Sequence, residues 1–195
     1  MEFARAEALL EDSDQGDIAR LKKATCAFYG GDIPWAKTQL EVLLQSTSKS
    51  IANDALENAL MISANSVEDT LMEGLGLIRI PMLLEAQGKT TKAIANYKAL
   101  KNTLIVHELY DDVCFKLGKL YVESAQWKMA LAEFALVQQA AGEGMWKEDA
   151  IFYIAKCRFE LKETEAQSAL EDYLLNYPAG LYFDQARTMY RTLAL

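Results

Sequence analysis

Leu117-Gly118-Lys119-Leu120-Tyr121 and, nine residues further on, Ala130-Leu131-Ala132-Glu133-Phe134 decide the fold of this chain. A large residue, a glycine and a tyrosine lie on one helical stretch. An alanine and a phenylalanine follow at helical spacing on the next. Gly118 lets two backbones approach, Tyr121 fills the space beside it, and Ala130 stands where the second helix crosses the first. The pattern predicts two antiparallel helices closed against each other.

Outward from this pair, Ala36, Ala93, Ala130 and Ala166 each open a second helix, the last three 37 and 36 residues apart. A turn precedes each one: Gly30-Gly31-Asp32, Gln87-Gly88-Lys89, Ala125-Gln126 and Lys162-Glu163-Thr164. A recurrence of this length with one short turn per period predicts stacked helical hairpins. The hairpins are expected at about 17–45, 68–102, 107–140 and 147–176, with an extra helix at about 49–64 and a terminal helix at about 179–193, in a single domain over 1–195. The extra helix, marked by Ile51, Ala55, Leu56, Ala59, Leu60 and Ile62, explains why Ala36 and Ala93 lie 57 residues apart.

In the first hairpin Ile18, Leu21, Ala24, Ala27 and Phe28 form an apolar stripe, answered by Trp35, Ala36, Leu40, Leu43 and Leu44. Asp32 is placed to cap the second helix, with Pro34 in its first turn. Pro81 falls inside the helix expected over Leu71 to Ala86, which predicts a kink or a late helix start there. Gly142-Glu143-Gly144 reads as a surface loop. In the fourth hairpin Ile151, Ile154, Ala155 and Phe159 face Ala166, Leu170, Tyr173 and Leu174. Thr164 and Gln167 form a capping-box pattern, and Tyr177-Pro178 ends the helix. The last helix carries Phe183, Ala186, Tyr190 and Leu193 on one side and Asp184, Gln185, Arg187, Thr188 and Arg191 on the other, as a solvated terminal cap requires. Phe3, Ala6, Leu9 and Leu10 mark a lone amphipathic helix. Its missing partner leads us to expect that this chain is the C-terminal part of a longer array, or that Met1 is an engineered start.

Composition agrees with helix throughout. Alanine, leucine, glutamate and lysine dominate, and hydrophobic residues make up 51% of 195, enough to bury a sizeable core. The net charge of −8 argues against a duplex nucleic-acid partner, because phosphate binding needs a cationic face. The longest apolar run, Ala150 to Ala155, is far too short to span a bilayer. The start of the chain, Met1-Glu2-Phe3-Ala4-Arg5-Ala6-Glu7, is charged and amphipathic and is not a signal sequence. A soluble chain is expected, periplasmic only if an upstream signal exists. The three cysteines, Cys26, Cys114 and Cys157, are far apart and without a Cys-x-x-Cys, so each is expected as a core thiol on an apolar helix face.

Chemistry-bearing patterns fail on inspection. Gly88-Lys89-Thr90 copies the end of a phosphate-binding loop, but Leu83 stands where the first glycine belongs and no strand precedes it. Gly74-Leu75-Gly76 lacks a third glycine and a strand. His107 is the only histidine, which leaves histidine-based zinc sites and Ser-His-Asp catalysis without material, and it is expected at the surface or a boundary. Of the acidic pairs Glu11-Asp12, Asp111-Asp112 and Glu148-Asp149, the latter two fall near helix starts, where negative charge opposes the positive end of the helix dipole. No catalytic, cofactor or metal residues are expected.

The spacing of Leu-Gly, Tyr, Ala and Phe at 117–134 resembles the tetratricopeptide repeat, over about Asp17 to Leu195 and most strongly in the third hairpin. Tyr173-Leu174-Leu175-Asn176-Tyr177-Pro178 with Phe183-Asp184-Gln185-Ala186-Arg187 is similar to repeats of bacterial envelope proteins, such as outer-membrane-assembly lipoproteins and Tol–Pal-associated periplasmic proteins. Tyr29-Gly30-Gly31-Asp32 through Trp35-Ala36, with Ser46-Thr47-Ser48-Lys49 and Ala52-Asn53-Asp54-Ala55 after it, resembles long repeat proteins of Bacteroidetes. The resemblance implies an all-α, right-handed α-α superhelix with a C-terminal capping helix. It implies a non-catalytic scaffold that binds a peptide or protein on its concave face, lined by the leading helices.

Carried onto this sequence, the groove residues are Lys22, Tyr29, Arg79, Phe115, Lys116, Lys119, Phe152, Tyr153 and Lys156, with Phe28, Met82 and Phe159 beside them. The lysines and aromatics suit an acidic or C-terminal-carboxylate peptide. The family's chaperone-binding subgroup pairs asparagines with such lysines; no leading helix here supplies them in register. Two further expectations stand beside the scaffold: the C-terminal part of an envelope-associated assembly or secretion protein, and a sensor of a small molecule or signalling peptide.

Overall fold

The computed structural model describes residues 2, 5, 9, 10, 13–46, 53–65, 73–105, 107–140 and 145–193. Among these residues the chain is all-helical. Ten helices follow one another: α1 (Asp14–Gly30), α2 (Ile33–Ser46), α3 (Asn53–Ala64), α4 (Glu73–Ala86), α5 (Thr90–Thr103), α6 (Tyr110–Glu123), α7 (Trp127–Ala140), α8 (Lys147–Leu161), α9 (Ala166–Asn176) and α10 (Phe183–Leu193). They fall into two compact units, Met1–Asn96 and Tyr97–Leu195, with α5 divided between them.

One turn design ends four of these helices. Gly31 (φ +97°), Gly88 (φ +68°), Ala125 (φ +53°) and Lys162 (φ +57°) adopt the left-handed conformation at the end of a leading helix. The next amide then donates five residues back: Asp32 to Ala27, Lys89 to Leu84, Gln126 to Tyr121 and Glu163 to Arg158, at 2.8–3.0 Å. These bonds satisfy carbonyls that a helix end leaves open and reverse the chain. Glycine adopts that backbone freely, whereas Ala125 and Lys162 hold it at a cost of about 1 kcal/mol. The crossing alanine follows four or five residues later in every case, and Ala36, Ala93, Ala130 and Ala166 are all buried. At these points any larger side chain would drive the two rods apart.

In the first unit α1 packs on α2 and α4, and α2 packs on α3. Ser13 caps α1, its hydroxyl accepting from the Gly16 amide (3.1 Å). Asp32 accepts from the Trp35 amide (3.3 Å) at the start of α2, as its position predicts. Leu21, Ala24 and Phe28 are buried, as are Leu40 and Leu43 of the helix packed on them, but Ile18 is exposed and its neighbour Ala19 is buried in its place. The described part of α4 runs through Pro81, which is buried inside it. A late helix start is thereby corrected: the ring takes a core position, and the helix forgoes the one amide that proline lacks.

In the second unit α6 packs on α7, α7 on α8, α8 on α9, and α10 on both α8 and α9. Phe115, Phe134, Phe152, Tyr153 and Tyr173 are buried and in mutual contact: Phe134 stacks on Tyr153 at 4.9 Å, and Phe115 meets Phe134 edge-on at 5.7 Å. The expected capping box does not form. Glu165 takes the N-cap position of α9 with no side-chain cap, and the Thr164 hydroxyl donates instead to the Glu165 carboxylate (3.0 Å). In α10, Ala186 and Met189 are buried while Asp184, Gln185, Arg187, Thr188 and Arg191 are exposed. Met189 belongs to the buried side that the sequence pattern assigned to its neighbour Tyr190, which is half-buried.

Phe3 and Ala6 of the expected N-terminal helix, the Ile51 start of the extra helix, the Leu71 start of α4 and the Gly142–Gly144 loop lie outside the described residues, as does the side chain of Leu44; Leu9 and Leu10 are exposed.

Candidate functional site

Lys119 on α6 and Lys156 on α8 stand at corresponding places, 37 residues apart. The Lys119 ammonium donates to the Tyr153 hydroxyl (3.0 Å) and lies 5.1 Å from the centre of that ring; Lys156 lies 5.8 Å from the same ring. Both lysines are half-buried, their stems covered and their charge held near aromatic faces. Tyr153 itself is nearly buried and lies close to both ammonium groups.

The other expected groove residues divide. Phe115 and Phe152 have no exposed surface, and Lys116 is also buried, at 4% exposure. Phe28 and Met82 are buried as well: helix-on-helix packing takes the apolar faces first, so these side chains sit in the core and present little or no surface. Phe159 is half-buried. In the first unit Lys22 is exposed and Tyr29 half-buried. Arg79 donates to the Tyr29 carbonyl (2.8 Å), one of the acceptors left open at the end of α1, so its guanidinium ties α4 to α1. Burial, followed by the negative charge of Glu85, pushes the Tyr29 phenol up to about 12.

Sequence reasoning missed a second set of contacts. Asp112, in the first turn of α6, accepts from the indole nitrogen of Trp146 (2.8 Å), the residue just before α8. Asp149, in the first turn of α8, accepts from the Tyr182 hydroxyl (2.5 Å), the residue just before α10. Glu148 accepts from the Tyr173 hydroxyl (2.7 Å) and the Leu181 amide (2.9 Å). These acids do sit at helix starts as the dipole argument expects, yet they also tie one hairpin to the next. Burial and the bond to Asp149 raise the Tyr182 phenol well above its ordinary value. The findable signal was the recurrence of an acid, a phenylalanine three residues on and an aromatic about thirty residues later.

The thiols also divide. Cys114 and Cys157 are buried, which pushes each up to about 12, whereas Cys26 is exposed, a correction to its expected core place. At pH 8 an alkylating reagent should therefore label Cys26 alone in the folded protein, and all three after denaturation; mass spectrometry of the labelled peptides checks this. A raised thiol stabilises the fold below the unfolded-state value and loses that contribution as pH rises toward 12, so the urea midpoint should fall between pH 9 and 11. His107 is half-buried, its Nδ1 accepting from the Leu109 amide (3.1 Å).

Among the described residues no cluster of His, Cys, Asp or Glu could hold a metal ion, and no helix is long and apolar enough to cross a membrane. An open cleft of about 310 Å³ lies between α7 and α9 over α8, lined by Gln138, Ile154, Arg158 and Asp172 among others. Gly88 sits in a turn between two helices, which removes any strand from the phosphate-loop pattern.

The paired helices, repeated turns and buried crossing alanines define an all-helical protein of hairpin units. Residues 149–179, covering most of α8 with α9, match the family model of the tetratricopeptide repeat. No curated protein matches the chain. Such repeats generally mediate protein–protein interaction, and folds of this type are typically non-catalytic scaffolds.

Proposed function

We propose that this protein is a non-catalytic scaffold that holds an acidic peptide or partner segment on the leading-helix face of α6 and α8, the concave side in this repeat family. The observation that carries the reading is the pair Lys119 and Lys156 in equal register on α6 and α8, both within 6 Å of the Tyr153 ring centre. Two cations held near one nearly buried ring offer a carboxylate charge-assisted bonds, with the ring keeping both ammonium groups in place. A preformed face of this kind avoids much of the ordering cost of binding.

The test compares wild type with the double variant Lys119→Glu, Lys156→Glu in affinity purification from the source organism, read by mass spectrometry. Proteins recovered with wild type should be lost with the variant while its melting curve stays within a few degrees. Because Lys119 bonds Tyr153, the milder Lys119→Gln, Lys156→Gln variant is run beside it. Unchanged recovery with either stable variant moves the ligand surface elsewhere. The envelope-assembly reading rests on the likeness of Tyr173–Pro178 and Phe183–Arg187, and an upstream secretory signal in the gene would carry it. A small-molecule sensor calls for an enclosed cavity, and the cleft over α8 is open.

A further inference from the structure

Two junctions in the second unit are built alike from different aromatic residues. Phe115 stacks on Trp146 with ring centres 3.9 Å apart and planes 18° apart; Phe152 stacks on Tyr182 at 4.2 Å and 6°. Three residues before each phenylalanine an aspartate accepts from the polar atom of the same aromatic: Asp112 from the Trp146 indole, Asp149 from the Tyr182 hydroxyl. Both aromatics stand immediately before a helix, α8 in one case and α10 in the other. The phenylalanine thus fixes the plane of the incoming ring, and the aspartate fixes its rotation within that plane. Stacking alone leaves a ring free to slide, and a hydrogen bond alone leaves it free to tilt. α10 itself carries Gln185 and Thr188 at the places that correspond to Asp149 and Phe152, so it offers no third socket of this kind.

We propose that this Asp-x-x-Phe socket with an incoming aromatic donor is an interchangeable joint. It sets the position of each following leading-place helix, and it accepts any planar ring that carries an N–H or O–H at its edge. Asp112 and Asp149 are positioning residues in this view: they act through the aromatic and touch no ligand. The joint holds α8 against α6 so that Lys119 reaches Tyr153. That consequence alone rests on the interaction reading above, and the experiment below does not depend on it.

Hydrogen exchange of the full chain, followed by mass spectrometry over 183–193, tests the joint with three variants at one position. Tyr182→Phe keeps the stack and removes the donor, so α10 amides should exchange about tenfold faster, the effect of one lost bond to a charged acceptor. Tyr182→Leu removes both and should be faster still. Tyr182→Trp restores a ring with an N–H and should stay within about threefold of wild type, although its side chain is much larger. Amides of α6 serve as the internal reference and should keep wild-type exchange throughout. If shape packing alone holds α10, Tyr182→Phe will match wild type and the bulky Tyr182→Trp will be as fast as Tyr182→Leu; either result overturns the proposal. Equal acceleration of α6 and α10 in Tyr182→Phe also overturns it, since the phenol would then hold the whole unit rather than one joint.

Discussion

Phe134→Ala is expected to lower the stability of the second unit by about 3–5 kcal/mol, the range for deleting a buried aromatic ring that its neighbours cannot replace. Phe134 has no exposed surface. It stacks on Tyr153 and meets Phe115 edge-on, so it joins α7 to leading helices on both sides of it. Its neighbours are themselves anchored: Phe115 by Trp146, and Tyr153 by the Lys119 ammonium. Rings held in this way do not collapse into the space left behind, which puts the cost at the upper end of the usual range for core truncation. Denaturant unfolding of the variant, followed by tryptophan fluorescence, measures it. A loss below about 1 kcal/mol would mean that the aromatic cluster repacks freely.

Gly118→Ala should cost about 1–3 kcal/mol by overpacking, against a gain of about 1 kcal/mol in helix propensity. A β-carbon at Gly118 would lie 2.8 Å from Cε1 and Cζ of Phe134, closer than such contacts are found. Flexible neighbours absorb a clash of that size easily; a ring fixed between Tyr153 and Phe115 does not. The two sites are therefore coupled. Adding Gly118→Ala to Phe134→Leu should cost measurably less than adding it to wild type, because the shorter side chain vacates the contested space. Equal costs in both backgrounds would show that the glycine is not kept for this approach.

Much of the fold was legible before any coordinates. The spacing of Ala36, Ala93, Ala130 and Ala166 marked the turns at Gly31, Gly88, Ala125 and Lys162, because a crossing between rods accepts only small side chains and each turn holds a nearly fixed place before it. Asp32 could be read as a cap because its function is local, decided within three residues. The errors were also local in origin. Thr164 and Gln167 satisfied a spacing rule, but the chain at Glu165 is already helical, which leaves no cap for threonine to make. The late helix start expected at Pro81 failed because the sequence shows the lost amide and not the core position its ring fills.

The candidate site was less legible. Lys119 and Lys156 could be placed on one face by helical arithmetic alone. Phe115, Phe152 and Lys116 share that periodicity, and whether a residue at a given angle meets solvent or a neighbouring rod is settled by the next hairpin. The joints at Trp146 and Tyr182 lay further out of reach, since each partner is about thirty residues from its socket and one ring is an indole, the other a phenol.

By itself the sequence determined the helical character, the hairpin turns and the small-residue crossings, since each depends on backbone preferences and contacts within one or two turns. Only the tertiary structure decided which aromatic rings became core, which lysines kept their charge at the surface, and which acids became ties between hairpins. Those outcomes depend on distances between segments far apart in the chain, where burial is shared among several helices and no single stretch contains the information.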